Sequence, residues 1–540
     1  MVSGGAPHSP PVFIQTAQES GARRNGWGWV AMIGILCAAA LLRMDSLDSQ
    51  CLWFDEIWHA ELSTGRGSAH LRLAPNQWLE SVPDLVSLRD APPAWEIWRH
   101  MDLVLHPPLY HTVLRGWREV MGDSVRSWRG LSVLFSVAAV GLIGVLGIES
   151  FGWRGAILAA GLAAVGATQI AQARDTRGYT LALVLAIVAA MATLRSARAE
   201  RASLSIVIVG VASVALLFTH YFTAGVLAGC GVYVLLAVRG RRRWGMIAAL
   251  GGAVAVFVAA WGPTLREQLA CVPETADLFL KEPADGHALR TMVRAVQLPA
   301  VLLVDPVARG EGAWPVGLFL AGLGLWVGLI LLARHDPQAR LWLSMLACTT
   351  LLLAGLDLAR GTRHLVFTRY ALAVSPAVCI ACAGLLPRGD RWRWNFGSVA
   401  AVGIVGLAVL TSPWGRVATV DYRPLGESLH EQSAPDEPII LCSPNPAGRD
   451  GQTLYLYLAY YGGLFPRDLF IATRSLDPQA IEARRGRTAW IVSANPDIDP
   501  SKVVPGCTLV AAREFSTVGG AGACFKVRLP EQANLSAGSE

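Results

Sequence analysis

The chain has 540 residues, 53% of them hydrophobic and 16% charged, far less charge than the roughly 25% of a soluble globular chain. Together with a mean hydropathy of +0.41, this excludes a cytosolic enzyme, a disordered chain, collagen and a coiled coil. The net charge of +6 is carried almost wholly by arginine, since Lys281, Lys502 and Lys526 are the only lysines, and no stretch reads as a nucleic-acid surface.

A helix crossing ~30 Å of hydrocarbon needs about 20 mainly apolar residues. Eleven such runs are expected, at 27 to 44, 130 to 148, 153 to 171, 179 to 194, 203 to 219, 222 to 238, 244 to 262, 314 to 333, 341 to 358, 370 to 386 and 396 to 413. The first follows a polar tail ending in Arg23-Arg24, has no small-residue cleavage site after it, and reads as an uncleaved anchor. The expected fold is a polytopic α-helical membrane protein: a cytoplasmic tail (1–26), a transmembrane module (27–413) and a small α/β extracytoplasmic domain (414–540).

Arginine is retained on the cytoplasmic side during insertion. With the amino terminus inside, fifteen arginines fall on the inner tail and links, and the short outer links hold only Arg174, Arg177, Arg360, Arg363 and Arg369. An odd number of spans then puts the carboxyl terminus outside. This is the arrangement of a multi-pass protein of a bacterial plasma membrane.

Three outer segments are long enough to have structure. In residues 45–129, helices are expected over Trp53 to Leu62 and over His106 to Gly122. The second sets Leu109, Val113, Leu114, Trp117 and Met121 against Arg115, Arg118 and Glu119, as a helix lying on the membrane surface would. Residues 263–313 contain Pro273, Pro283, Pro299 and Pro306 and read mostly as loop, with a short helix near 287 to 297. Residues 414–540 alternate strand-like runs (Pro438 to Cys442, Leu469 to Thr473, Ala489 to Ser493, Thr508 to Phe515, Cys524 to Leu529) with helical ones (Gly451 to Tyr461, Pro478 to Arg484). Cys507 and Cys524 sit on two strands that could pair, which allows a disulfide in an oxidising compartment.

Asp55 and Glu56 stand among Trp53, Phe54, Ile57 and Trp58 just beyond the first span. Desolvation and like charge favour a carboxyl able to abstract a proton. His59 lies one helical turn on, so Asp55, Glu56 and His59 could share a proton or a divalent cation. The bland alternative is an acidic helix start that suits the helix dipole.

Arg174 and Arg177, one turn apart in the outer link before Tyr179, can present two forks to one phosphate. Their bland reading is a surface pair with Asp175. His220 lies at another outer link. Arg360, Arg363, His364, Arg369 and Tyr370 crowd a third, against the inside rule that the rest of the chain obeys. His106 and His111 flank a rigid Pro107-Pro108 step, whose plain reading is a helix start.

The topology puts these cues on one side of the membrane. There they suit a substrate with a lipid tail in the bilayer and an anionic head at its surface. The fitting reaction is displacement at a carbon bearing a phosphate, with a carboxylate as base and arginines stabilising the leaving group. No phosphate-binding glycine loop is present.

In order, the motifs are Leu52-Trp53-Phe54-Asp55-Glu56-Ile57-Trp58, His106-Pro107-Pro108-Leu109-Tyr110, Gly122 to Ser132, Gln172-Ala173-Arg174-Asp175-Thr176-Arg177-Gly178-Tyr179, Thr219-His220-Tyr221-Phe222 and Arg369 to Ala377. The set resembles the integral-membrane glycosyltransferases of the C-type fold. Within these it is similar to the group of bacterial protein O-mannosyltransferases, aminoarabinose transferases and rhizobial core galacturonosyltransferases.

Over residues 27 to 413 the resemblance implies a polyprenyl-phosphate sugar donor, inversion at the anomeric carbon and an acid of the first outer loop as base. The acceptor would be an envelope lipid, glycan or protein. Carried over, Asp55 is the base, with Glu56 its neighbour assisting through a divalent cation. Arg174, Arg177, Arg363 and Arg369 are candidates for the donor phosphate, and His106, His220, Tyr179 and Tyr370 line the site. Members usually carry Gln-Glu-Ala-Arg where this chain has Gln172 to Asp175, which aligns Arg177 better than Arg174. The tryptophan-rich stretch Arg66 to His100 has no counterpart and is expected to shape the acceptor.

The competing class is a transporter or flippase of a lipid-linked or anionic substrate. It would set ionisable groups near the bilayer midplane in broken helices, whereas the span cores here are almost free of charge.

Overall fold

The computed structural model describes residues 13–45, 47–198, 203–304, 315–384, 421–444, 447–517 and 520–531. Helices α1 (Phe13–Met44), α2 (Phe54–Leu62), α3 (Leu109–Met121), α4 (Val125–Val165), α5 (Ala167–Ala173), α6 (Tyr179–Arg198), α7 (Ser203–Leu217), α8 (Ala224–Ala237), α9 (Arg241–Leu280), α10 (His287–Val301), α11 (Pro315–Ala333), α12 (Pro337–Arg360) and α13 (Pro376–Gly384) precede the carboxyl-terminal domain.

Among the described residues, six helices are long and apolar enough to cross a membrane, and two shorter apolar ones accompany them. Val207, Val211, Leu236, Val254, Leu320 and Leu351 stand exposed on these helices, as lipid-facing side chains would. The expected run 396 to 413 lies outside the described residues.

Local chemistry sets the boundaries. The expected span 130 to 148 lies within α4, and the expected span 153 to 171 is split between α4 and α5; α4 is itself broken where Gly152 takes φ 69°, a backbone region open to glycine. Helix α12 opens on an Asp336 side chain accepting from the Gln338 and Ala339 amides, with Pro337 next, and closes on left-handed Gly361. The expectation of loop after residue 262 is corrected: α9 continues to Leu280. Residues 264 to 270 are good helix formers, and Gln268 ties the extension down, donating to the Met101 carbonyl at 2.6 Å and accepting from the Tyr221 hydroxyl.

The carboxyl-terminal domain holds α14 (Arg423–Gln432), α15 (Arg449–Tyr457), and strands β2 (Ile439–Cys442), β3 (Arg467–Ala472), β4 (Thr488–Ser493), β5 (Thr508–Thr517) and β6 (Gly520–Arg528). With β1 (Trp78–Val82), the sheet order is β1-β3-β2-β4-β6-β5. Strands β3, β2 and β4 are parallel and buried apart from Asp468 and Thr488 near the starts of β3 and β4, as their apolar runs Leu469 to Ala472, Ile439 to Cys442 and Ala489 to Val492 require.

Strand β1 comes from the segment between α2 and α3 and pairs antiparallel with β3. Part of the unaligned tryptophan-rich stretch is therefore the edge of the carboxyl-terminal sheet. Its Trp78 ring packs on Phe470 and donates to the Ala480 carbonyl at 2.8 Å. A single apolar core runs from Leu52, Ile57 and Leu114 into Leu425, Tyr455 and Ile471.

Two further expectations change. Arg115 and Arg118 of α3 are buried instead of facing solvent: Arg115 donates to the Thr64 carbonyl, and Arg118 donates to those of Ala60 and Val86. Their methylene stems pack while the guanidiniums close the ends of loop turns. Cys507 and Cys524 are unbridged, because the register sets Arg513 opposite Cys524 and Thr508, next to Cys507, opposite Arg528.

Candidate functional site

Asp55 lies in the first turn of α2, and its carboxylate pairs with Arg177 from the link between α5 and α6. The Arg177 guanidinium stands 4.7 Å from the centre of the Trp53 ring, and that of Arg369 stands 5.6 Å from the same ring. One indole thus carries two cations beside the acid, a geometry that cation–π attraction favours. Tyr179 lies under Arg177 at 5.5 Å and donor-acceptor distance 3.4 Å to its Nη1. Phe367 and Tyr370 flank Arg369 at 4.7 and 5.3 Å.

Behind this face runs a chain of rings. His111 and His106 pack on His59 at 4.9 and 5.0 Å, His220 packs on His106 at 6.1 Å, and Tyr179 and Tyr370 close on His220 at 5.1 and 5.9 Å. The space they enclose with Arg177 is about 10 Å³, room for a single water. Burial lowers the His111 pKa to about 4, and burial with Arg177 and Arg369 lowers that of His220 to about 3. His59 and His106 are pushed well below the ordinary imidazole value by burial and then by neighbouring histidines. These rings are neutral at pH 7 and act as a dry, polar wall.

Asp55, Arg177, Tyr179, His106, His220, Arg369 and Tyr370 are gathered as expected; three other residues are not. Glu56 is fully engaged elsewhere: it accepts from Arg129 Nε and Nη2 at 2.8 and 2.7 Å, from the Thr176 amide at 3.1 Å and from the Trp53 amide at 3.3 Å. With its carboxylate saturated, it closes the α2 start and holds the Arg177 link.

Arg174 is turned to the end of α1, donating to the Leu42 carbonyl at 2.6 Å and pairing with Asp45 at 3.8 Å. Arg363 is exposed on its link. The cation set also fails to form. His59 Nδ1 donates to the Asp55 backbone carbonyl at 2.7 Å, its ring faces other histidines, and no metal-holding group of three ligands occurs among the described residues.

Trp53, Arg129 and His111 were not chosen from sequence as site residues. Trp53 reads as a membrane-docking aromatic until Arg177 and Arg369 arrive from distant links. Arg129 lies inside a quoted motif, where only its spacing to a buried acid would single it out.

An open apolar groove of about 670 Å³ runs between α7 and α9, walled by Gly210, Val214, Gly252 and Val256 with Trp98 at its mouth. It meets the ring cluster through chain neighbours: Leu109 and Phe218 line the groove, and Tyr110, Thr219 and His220 line the small cavity.

No family model and no curated protein matches the chain. Among solved structures it is similar to ArnT from Cupriavidus metallidurans bound to undecaprenyl phosphate, at 14% identity and a TM-score of 0.53 over 95% of this chain and 99% of that one. An oligosaccharyltransferase of Archaeoglobus fulgidus matches at 12% identity and a TM-score of 0.47, over 86% of this chain and 68% of that one. The arabinofuranosyltransferase AftD from Mycobacteria matches at 15% and 0.43, over 94% and 40%. The ArnT match establishes the fold, the C-type fold of integral-membrane glycosyltransferases.

Proposed function

We propose that the chain is an inverting glycosyltransferase that moves a sugar from a polyprenyl phosphate to an envelope acceptor at the outer face of a bacterial plasma membrane. In this reading the amino terminus is cytoplasmic and the carboxyl-terminal domain extracytoplasmic. The observation that carries it is one indole, Trp53, holding two guanidiniums beside a carboxylate.

The donor phosphate binds Arg177 and Arg369, replacing Asp55 on Arg177 and freeing that carboxylate. Asp55 then takes the proton of the acceptor hydroxyl as its oxygen bonds to the anomeric carbon. The carbon–oxygen bond to phosphate breaks, the phosphate keeps the electron pair, and the two guanidiniums neutralise the charge. Attack opposite the leaving group inverts the centre. The apolar groove beside the site supports a lipid-tailed substrate, and the undecaprenyl phosphate of the Cupriavidus ArnT structure supports a polyprenyl carrier.

The test is transfer from labelled undecaprenyl-phosphate sugars to envelope extract by the full-length protein in liposomes. Asp55→Asn should fold, with at most a modestly lower melt from the loss of its pair with Arg177, and transfer nothing; an active Asp55→Asn protein overturns the reading.

A further inference from the structure

The proposed base stands at the start of α2, and its position is set by the link from α1, residues 45–53. Five successive carbonyls of that link are held by two guanidiniums. Arg129 of α4 donates to Leu47, Gln50 and Cys51 at 2.5, 3.1 and 3.2 Å. Arg423 of the carboxyl-terminal domain donates to Asp48 and Ser49 at 3.1 and 2.9 Å. The next group along, the buried Leu52 amide, donates to the Tyr461 hydroxyl at 2.7 Å. Arg423 is itself fixed by Asp421, with Nη2 to Oδ2 at 2.6 Å, and the Tyr461 ring lies parallel to Tyr457, 6.5 Å away.

The carboxyl-terminal domain thus supplies half of the ties on a segment that ends in Trp53 and leads into Asp55. The partners of those two residues, Arg177 and Arg369, stand on other links. A slip of the segment would move acid and indole together against both arginines, and reaction rates are sensitive to misplacement on the scale of 1 Å.

We infer that Tyr461 and Arg423 are positioning residues that let the carboxyl-terminal domain hold Asp55 in register with Arg177 and Arg369. The inference rests on the reading of Asp55 as base.

The test uses the full-length protein in liposomes with Tyr461→Phe, Arg423→Gln and Arg423→Lys. Tyr461→Phe keeps the ring and its packing but leaves the buried Leu52 amide unpaired, a cost of about 1–3 kcal/mol, so the protein should still fold with a melt only a few degrees lower. Amide exchange, read without substrate, should quicken about tenfold over residues 47–53 and stay unchanged in the carboxyl-terminal sheet. With the undecaprenyl-phosphate sugar that the wild type transfers, kcat should fall about tenfold and KM stay within twofold, because the arginines that grip phosphate are untouched. Arg423→Lys should recover part of the kcat that Arg423→Gln loses.

Unchanged exchange, or faster exchange with an unchanged kcat, overturns the inference. A wild type that transfers no sugar, or an active Asp55→Asn protein, instead overturns the function on which it rests, whatever the exchange shows.

Discussion

Glu56 and Arg129 meet through two hydrogen bonds with side chains 1% and 0% exposed, while Asp55, the adjoining residue, keeps 24% of its side chain open. Two neighbouring acids thus have opposite duties. Removing the charge of Glu56 leaves Arg129 buried without its counter-ion, which costs roughly 3–5 kcal/mol. Glu56→Gln should lower the melting temperature and the yield of folded protein more than Asp55→Asn does, because Asp55 is the more open acid and Arg177 keeps the Trp53 and Tyr179 ring faces without it. If Glu56→Gln kept the wild-type melt and lost only transfer, Glu56 would be the reacting acid.

Trp53 is the shared support of Arg177 and Arg369, the two arginines proposed to hold the donor phosphate. Each cation–π contact is worth about 0.5–2 kcal/mol. Trp53→Leu should therefore weaken binding of undecaprenyl phosphate about tenfold with the acid still in place. Arg369→Gln should weaken it by roughly 10- to 100-fold, since a hydrogen bond to a charged group is worth about 1.5–3 kcal/mol. Equilibrium binding of labelled undecaprenyl phosphate measures both, and unchanged affinity in Arg369→Gln would remove it from the phosphate site.

The carboxyl-terminal strands and helix α3 were legible in the sequence because their apolar periods are strong and proline or glycine stands at or near most of their ends. Arg177 and Arg369 could be chosen because arginines at links expected outside contradict the charge rule that the rest of the chain obeys, and Asp55 because an acid pair stands among aromatic residues. Glu56 could not be separated from Asp55, and only the family motif set Arg177 above Arg174. The partners of Glu56 and Arg174, Arg129 and the Leu42 carbonyl, are 73 and 132 residues away, and local spacing carries no trace of such pairings. Strand β1 was invisible for the same reason: Trp78 to Val82 pairs with Arg467 to Phe470, and a five-residue edge strand without clean alternation has no signal of its own.

The histidine wall sets a pH dependence of stability. Unfolded, these rings titrate near 6.5; folded, His111 is held at about 4 and His220 at about 3, with His59 and His106 displaced the same way. Between pH 6.5 and about 4 the unfolded chain binds protons that the folded one refuses. Stability is therefore fully present above 6.5 and falls with pH across that window, by up to roughly 1.4 kcal/mol per unit for each ring. The melting temperature should drop from pH 7 to pH 5, and His111→Phe should make that drop smaller. An equal drop in the variant would show that His111 is not held neutral.

Helices α8 and α12 touch backbone to backbone at two glycines four residues apart. A Cβ added at Gly225 would lie 2.6 Å from the Thr349 Cα, and one at Gly229 would lie 2.3 Å from the Met345 Cα. The spacing places both on one helix face, where small residues let apolar helices approach without side chains between them. Because the obstructing atoms are backbone, no rotamer change relieves the clash, and Gly229→Ala must push the helices apart. Gly231, on the same helix, has nothing within 4 Å of such a Cβ, so Gly231→Ala should be neutral or stabilising by about 0.5–1 kcal/mol. The effect reaches the site, because Asp357 near the end of α12 accepts from the His364 and Leu365 amides at 2.6 and 3.1 Å and so sets the turn that leads to Arg369. Gly229→Ala should lower both the melting temperature and the affinity for undecaprenyl phosphate, with Gly231→Ala as the matched control; equal melts for the two would mean that α8 and α12 are not in backbone contact.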